Sequence, residues 1–193
     1  MAQRQVGLFF GSFNPVHTGH MILANFMATQ TALDEVWLVV SPQNPFKQRG
    51  SLARDHDRLH LVKLAIGDTP GLRASNIEFE LPKPSYTIDT LAVLRDRYPA
   101  YGFTLIMGGD NLASLPRWKN AELILRDYRI QVYRRPGAED ADLASHPNVT
   151  VYDAPLMHLS ATYVRKCIQE GHSIRYLVPD AVAEELEKTG LYR

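Results

Sequence analysis

Short apolar runs bounded by Gly, Pro or Asn recur along the chain, with polar stretches of helical spacing between them. The runs are residues 5–10 (QVGLFF), 36–40 (VWLVV), 103–107 (FTLIM), 129–133 (RIQVY) and 149–152 (VTVY). Continuous runs of this length suit strands buried on both faces of a parallel sheet, whereas a half-exposed strand would alternate. Residues 19–30 follow the first run as a crossover helix, and 51–66 place Leu52, Leu59, Val62 and Ile66 on one helical face. Over 86–98, Ile88, Leu91, Ala92 and Tyr98 keep a helical spacing until Pro99 ends it. Farther on, Pro179 can occupy a first turn and Gly190 can terminate a helix holding Val182 and Leu186. Such alternation predicts an α/β fold: a single-domain, Rossmann-like, doubly wound parallel sheet with right-handed crossovers covering both faces. In sheets of this kind ligands sit beyond the carboxyl ends of the strands, near the switch point.

Composition narrows the class without naming a function. A length of 193 residues suits one domain spanning 1–193, and 45% hydrophobic with 22% charged residues suits a folded core. Neither repeats nor low-complexity segments interrupt it, and the polar stretch 136–148 reads as a surface connection. Lys plus Arg equals Asp plus Glu at 21 each, so no global field is available for nucleic acid or an anionic membrane. A local basic cluster can still hold a small phosphorylated ligand. Cys167 stands alone, which excludes an intramolecular disulfide and a cysteine zinc motif. The start, MAQRQVGLFFGSFNP, has too short an apolar stretch for a signal peptide or membrane span. We therefore expect a cytoplasmic protein, with its oligomeric state open.

The most informative segment is GSFNPVHTGH, residues 11–20, directly after the first strand. Gly11 and Gly19 permit close approach of backbone N–H groups to an anion, and the following helix presents its positive end. His17 and His20, three residues apart on an opening helical turn, can donate to oxygens of one triphosphate. Neither a G-x-G-x-x-G fingerprint nor a G-x-x-x-x-G-K-[ST] loop occurs here, which weakens dehydrogenase and P-loop alternatives. The tetrapeptide His17-Thr18-Gly19-His20 resembles the H-x-G-H signature of nucleotidyltransferases that activate the α-phosphate of nucleoside triphosphates. A second segment, LSATYVRK at 159–166, resembles the I-S-S-T-x-I-R motif that closes the triphosphate site in that superfamily, with Ser160, Thr162 and Arg165 matching. It departs at Leu159 and Ala161, the latter lacking a hydroxyl. Ser160 can cap a helix whose free N–H groups meet phosphate oxygens, and Arg165 offers a planar, permanently charged fork.

The H-x-G-H group includes enzymes acting on several phosphorylated acceptors, and further segments narrow the choice. SYTIDTL at 85–91 and GGDNLASLPRWKNAELIL at 108–125 resemble acceptor-binding segments of bacterial nicotinate-nucleotide adenylyltransferases. VSPQNPFK at 40–47 and YLVPDAVAEELEKTGLYR are also similar, so the resemblance covers nearly the whole chain. It implies transfer of AMP from ATP to nicotinate mononucleotide, with pyrophosphate released and Mg2+ carried by ATP. His17, His20 and Arg165 would stabilise the transferring phosphoryl group. Ligand binding would fall to Gly11, Ser12, Phe13, Asn44, Lys47, Tyr86, Thr87, Gly109, Asp110, Trp118, Ser160 and Thr162.

Several of these have a physical rationale beside the resemblance. Trp118 offers an aromatic face to a pyridine ring, and Tyr86 and Thr87 open a helix whose N–H groups suit a carboxylate. Asp110 suits a ribose hydroxyl donor, and Lys47, beside Asn44, can reach a phosphate as a flexible point charge. His56-Asp57-Arg58-Leu59-His60 puts two imidazoles at i and i+4, but Asp replaces the Glu of a metalloprotease helix and no third ligand is evident. No metal site held by the chain itself is expected. A nucleotide-binding regulatory module without turnover, or an adenylyltransferase for the amide or another acceptor, are the competing alternatives.

Overall fold

The computed structural model describes residues 3–42, 52–134, 142–155 and 157–193. Six strands form one sheet: β1 (Arg4–Gly11), β2 (Glu35–Val40), β3 (Leu72–Ser75), β4 (Tyr101–Gly108), β5 (Arg129–Tyr133) and β6 (Val149–Tyr152). All neighbouring pairs are parallel, in the order β3-β2-β1-β4-β5-β6. The order reverses between β1 and β4, which puts the switch point at the two most central strands. The α/β, doubly wound expectation is thereby met. One strand, β3, has no counterpart among the predicted runs.

Period-two alternation sorts the strand residues onto two apolar faces. Val6, Leu8, Trp37, Val39, Leu105 and Val132 face one way, against Leu91 and Leu94 of α3 (Thr87–Arg97), Leu112 of α4 (Gly109–Ser114) and Ile124 of α5 (Ala121–Asp127). Phe9, Val36, Leu38, Val40 and Ile106 face the other, against α1 (Thr18–Gln30), α2 (Asp55–Ile66), α6 (Ala161–Gln169) and α7 (Asp180–Thr189). Burial on both sides explains why these strands read as continuous apolar runs. Each fully buried large side chain contributes ~1.5–3 kcal/mol.

Helix ends follow the expected chemistry with small shifts. The helix predicted from residue 51 begins at Asp55, and Gly190 closes α7 in the left-handed conformation at φ 67°. Ser160 caps α6 by accepting from the Tyr163 N–H at 3.2 Å. In the connection after β1, Phe13 has φ 44°, a conformation bulky residues rarely adopt. Its ring is buried edge-on to Phe9 and His20, at 5.8 and 5.0 Å between centroids. No helix among the described residues is long and apolar enough to cross a membrane.

Candidate active site

A cleft of about 1100 Å³ opens beyond the carboxyl ends of β1, β2, β4 and β5. Both predicted motifs border it: Gly11, Ser12, Phe13, His17 and His20 from the β1–α1 connection, and Ser160, Thr162 and Arg165 from the start of α6. Tyr86, Thr87, Asp110 and Trp118 line it as well. Gly109 does not; it opens α4, and a Cβ there would meet nothing within 4 Å. Close backbone approach at this glycine is therefore not enforced by the chain. Asn44 and Lys47 lie outside the described residues.

The two histidines form a stacked pair, with ring centroids 3.6 Å apart. His17 is the N-cap of α1 and His20 the third residue in, and His20 Nδ1 accepts from the His17 backbone N–H at 3.1 Å. An imidazole that accepts at Nδ1 carries its proton on Nε2 when neutral, so His20 is a donor at that nitrogen. His17 is 6% exposed, and its buried Nδ1 has no hydrogen-bond partner. Burial pushes its imidazole down to about 4, which keeps it neutral at physiological pH. A Cβ at Gly19 would lie 3.2 Å from His17 Nδ1, so a side chain there would press on the ring. Close approach, more than backbone freedom, is what this glycine supplies.

Arg165 reaches across from α6 to the β1 connection. Its Nη1 donates to the Asn14 carbonyl at 2.8 Å and its Nη2 to Thr162 Oγ1 at 3.3 Å. Asn14, itself buried, accepts at Oδ1 from the Ala53 N–H and from the Tyr192 hydroxyl. On the opposite side of the same loop, Arg58 is fully buried. It donates to the carbonyls of Ser12, Ser41 and Ala53 and pairs with Asp55 at 2.7 Å, while Asp55 also holds Lys83 at 2.8 Å. One guanidinium thus fastens the connection after β1 to those flanking the cleft after β2. Arg58 lies inside the helical stretch in which the flanking histidines had drawn attention. Those histidines part company: His56 meets the Phe79 ring edge-on, and His60 lies 3.5 Å from Glu185. Among the described residues no group of three or more His, Cys, Asp or Glu is placed to hold a metal ion.

The other end of the cleft is walled by the start of α3 and the turn before α5. Tyr86 is the N-cap of α3, with extended backbone, and the first N–H groups of any helix lack intrahelical partners. Trp118 donates from Nε1 to Ser114 Oγ at 3.2 Å, which sets the ring's orientation. Lys119 pairs with both carboxylate oxygens of Asp89, at 2.9 and 2.8 Å, and its ammonium lies 5.1 Å from the centre of the Tyr86 ring. Sequence reasoning missed Lys119 and also Glu78, a buried carboxyl that lines the cleft and accepts from Thr90 Oγ1 at 2.8 Å. Burial pushes the Glu78 carboxyl up, against the opposing effect of the Thr90, Ser41 and Ser85 hydroxyls. Nothing in IEFE separates a buried Glu78 from an exposed Glu80, since only the tertiary fold does so.

A 3-2-1-4-5-6 sheet with a paired-histidine loop at its switch point and a helix-borne arginine opposite forms a cleft suited to an anionic ligand, as in the nucleotide-binding class of α/β folds. The family described as cytidylyltransferase-like matches residues 8–167. Curated relatives agree over nearly the whole length. A probable nicotinate-nucleotide adenylyltransferase of Cytophaga hutchinsonii is 53% identical over 93% of this chain and 94% of its own. One of the same description from Flavobacterium psychrophilum is 45% identical over 98% and 99%. The chain belongs to the nicotinate-nucleotide adenylyltransferase family of nucleotidyltransferases. In fold it also matches the Plasmodium falciparum nicotinic acid mononucleotide adenylyltransferase complexed with NaAD, with TM-score 0.82 at 17% identity over 98% of this chain and 97% of that one.

Proposed function

We propose that the protein transfers the AMP part of ATP to nicotinate mononucleotide in the cytoplasm, giving nicotinate adenine dinucleotide and pyrophosphate. The observation that carries this is the convergence on one cleft of the His17, His20 and Arg165 cluster with the Tyr86 and Trp118 wall. The acceptor phosphate attacks the α-phosphorus of ATP in line, pyrophosphate leaves, and no residue forms a covalent intermediate. Catalysis then rests on aligning two bound anions, where proximity contributes ~7–11 kcal/mol, and on stabilising the transferring phosphoryl group.

Named roles follow from position. His20 donates from Nε2 to a phosphate oxygen, while neutral His17 holds the neighbouring ring in register. Arg165 compensates triphosphate charge, with Ser160 and Thr162 presenting the positive end of α6 beside it. Gly11, Ser12 and Phe13 border the phosphates, and Asp110 accepts from a ribose hydroxyl. Mg2+ enters with ATP, bound through phosphate oxygens. Trp118 stacks on the pyridine ring, and the N–H groups at Tyr86 and Thr87 receive the carboxylate that distinguishes the acid from the amide. Incubation with ATP and either nicotinate or nicotinamide mononucleotide, with pyrophosphate followed over time, tests this. A kcat/KM for the amide equal to or above that for the acid overturns the acceptor assignment.

A further inference from the structure

Asn14 sits where three parts of the chain meet. Its Oδ1 accepts from the Tyr192 hydroxyl at 2.7 Å and from the Ala53 N–H at 3.0 Å, and its carbonyl accepts from Arg165 Nη1 at 2.8 Å. An amide oxygen has two lone pairs, and both are used here in a residue that is 3% exposed. The side chain therefore has one orientation, and the backbone carbonyl that receives Arg165 is fixed with it.

Tyr192 comes from the segment that follows α7. Gly190 ends α7 at φ 67°, and Tyr192 itself has φ 72°, so two left-handed residues in three turn the chain back toward the β1 connection. Its ring packs against the core formed with α1, α2 and α7. Asn14 and Arg165 both line the cleft, and Tyr192 does not. Whatever Tyr192 does for catalysis is done without touching substrate.

We propose that Tyr192 is a positioning residue for adenylyl transfer: its hydroxyl locks the Asn14 side chain, and Asn14 in turn sets the Arg165 fork toward the triphosphate. The role rests on Arg165 being the phosphate-binding cation of the proposed reaction. An arginine side chain has many rotamers, and a small misplacement of a charge that aligns reactants is costly in rate. Without the hydroxyl, Oδ1 loses one of its two donors in a buried site and the loop loses its tie to the segment after α7.

The test is a double-mutant cycle read as turnover at saturating substrates, with melting temperature measured on each preparation. Tyr192→Phe keeps the ring and removes only the hydroxyl; it lowers turnover about 3- to 10-fold, the worth of one net hydrogen bond, and leaves KM for the acceptor unchanged. In an Arg165→Ala background the same change alters turnover by less than about 1.7-fold, within ordinary additivity error. An equal fold loss in both backgrounds means that Tyr192 acts on the fold in general and overturns the proposal, as does undiminished turnover of Tyr192→Phe alone. The cycle uses whichever mononucleotide the parent protein accepts, so a wrong acceptor leaves the result readable. Absence of any acceptor-dependent pyrophosphate release by the parent protein overturns the proposed function and this role together.

Discussion

At the His17 and Arg165 end of the cleft, the proposed triphosphate end, the key side chains are tied to main chain: His20 to the His17 N–H, Arg165 to the Asn14 carbonyl, Arg58 to the carbonyls of Ser12, Ser41 and Ala53. At the Tyr86 and Trp118 end, the proposed acceptor end, they are tied to other side chains: Trp118 to Ser114, Lys119 to Asp89, Glu78 to Thr90. Exposure differs between particular ties: His17 and Asn14 are almost inaccessible, Lys119 and Asp89 are each 45% exposed, and Glu78 is as buried as Asn14. Main-chain ties within a buried loop hold dipoles where charge will develop, at no reorganisation cost during the reaction. An exposed ion pair such as Lys119 with Asp89 is worth only ~0–1 kcal/mol and yields readily to a ligand. Under the proposed function, chemistry falls to the end held by main chain, and recognition to the end where the Lys119–Asp89 pair can adjust.

The largest effect expected from that division is at His20. His20→Ala lowers turnover by ~10²–10³, the cost of one preorganised donor, and changes ATP affinity much less. Near-normal turnover in a protein of lowered melting temperature would reduce His20 to a helix cap and remove the contrast between the two ends.

Acid and base titration separates the ends by sign. The His17 imidazole lies near 4 in the folded protein and near 6.5 when unfolded, so between these values the unfolded chain binds more protons. Stability is then full above pH 6.5 and is lost as pH falls toward 4, by about 3 kcal/mol at most. Glu78 acts oppositely: its raised folded value makes stability present below the usual carboxylate range and lost as pH rises through the folded one. Chemical denaturation from pH 4 to 8 should show a shallower acid slope in His17→Gln and a gain at neutral pH in Glu78→Gln. Unchanged profiles in both variants would place these groups outside the pH response.

At the acceptor end, Trp118→Ala should weaken mononucleotide binding by ~1–3 kcal/mol and leave ATP affinity nearly intact. Equal losses for both substrates would make the ring a packing residue for the whole cleft.

Much of this organisation is legible in the chain because the physics is local. Apolar runs buried on both faces announce β1, β2, β4, β5 and β6, and glycine-flanked histidines after the first strand announce the loop that borders the cleft. β3 escapes because its four residues, LRAS, carry Arg73, whose guanidinium lies 4.5 Å from the Trp37 ring centre instead of continuing an apolar run. α4 and α5 have six and seven residues, too few to show a period. Arg58 reads as an ordinary polar helix residue, because its carbonyl partners at Ser12 and Ser41 are 46 and 17 positions away. Glu78 and Lys119 escape for the same reason: their partners are distant in sequence, and only folding brings them to the cleft.

The two tryptophans give this molecule an optical division of labour. Trp37, 1% exposed and packed among Tyr98, Tyr101 and Phe103, emits from the interior, away from the residues that line the cleft. Trp118 emits from the wall of the cleft, held by a single bond from its indole nitrogen to Ser114. One fluorophore is a fixed internal reference and the other borders the cleft, so the intrinsic emission of the unmodified protein carries its own baseline.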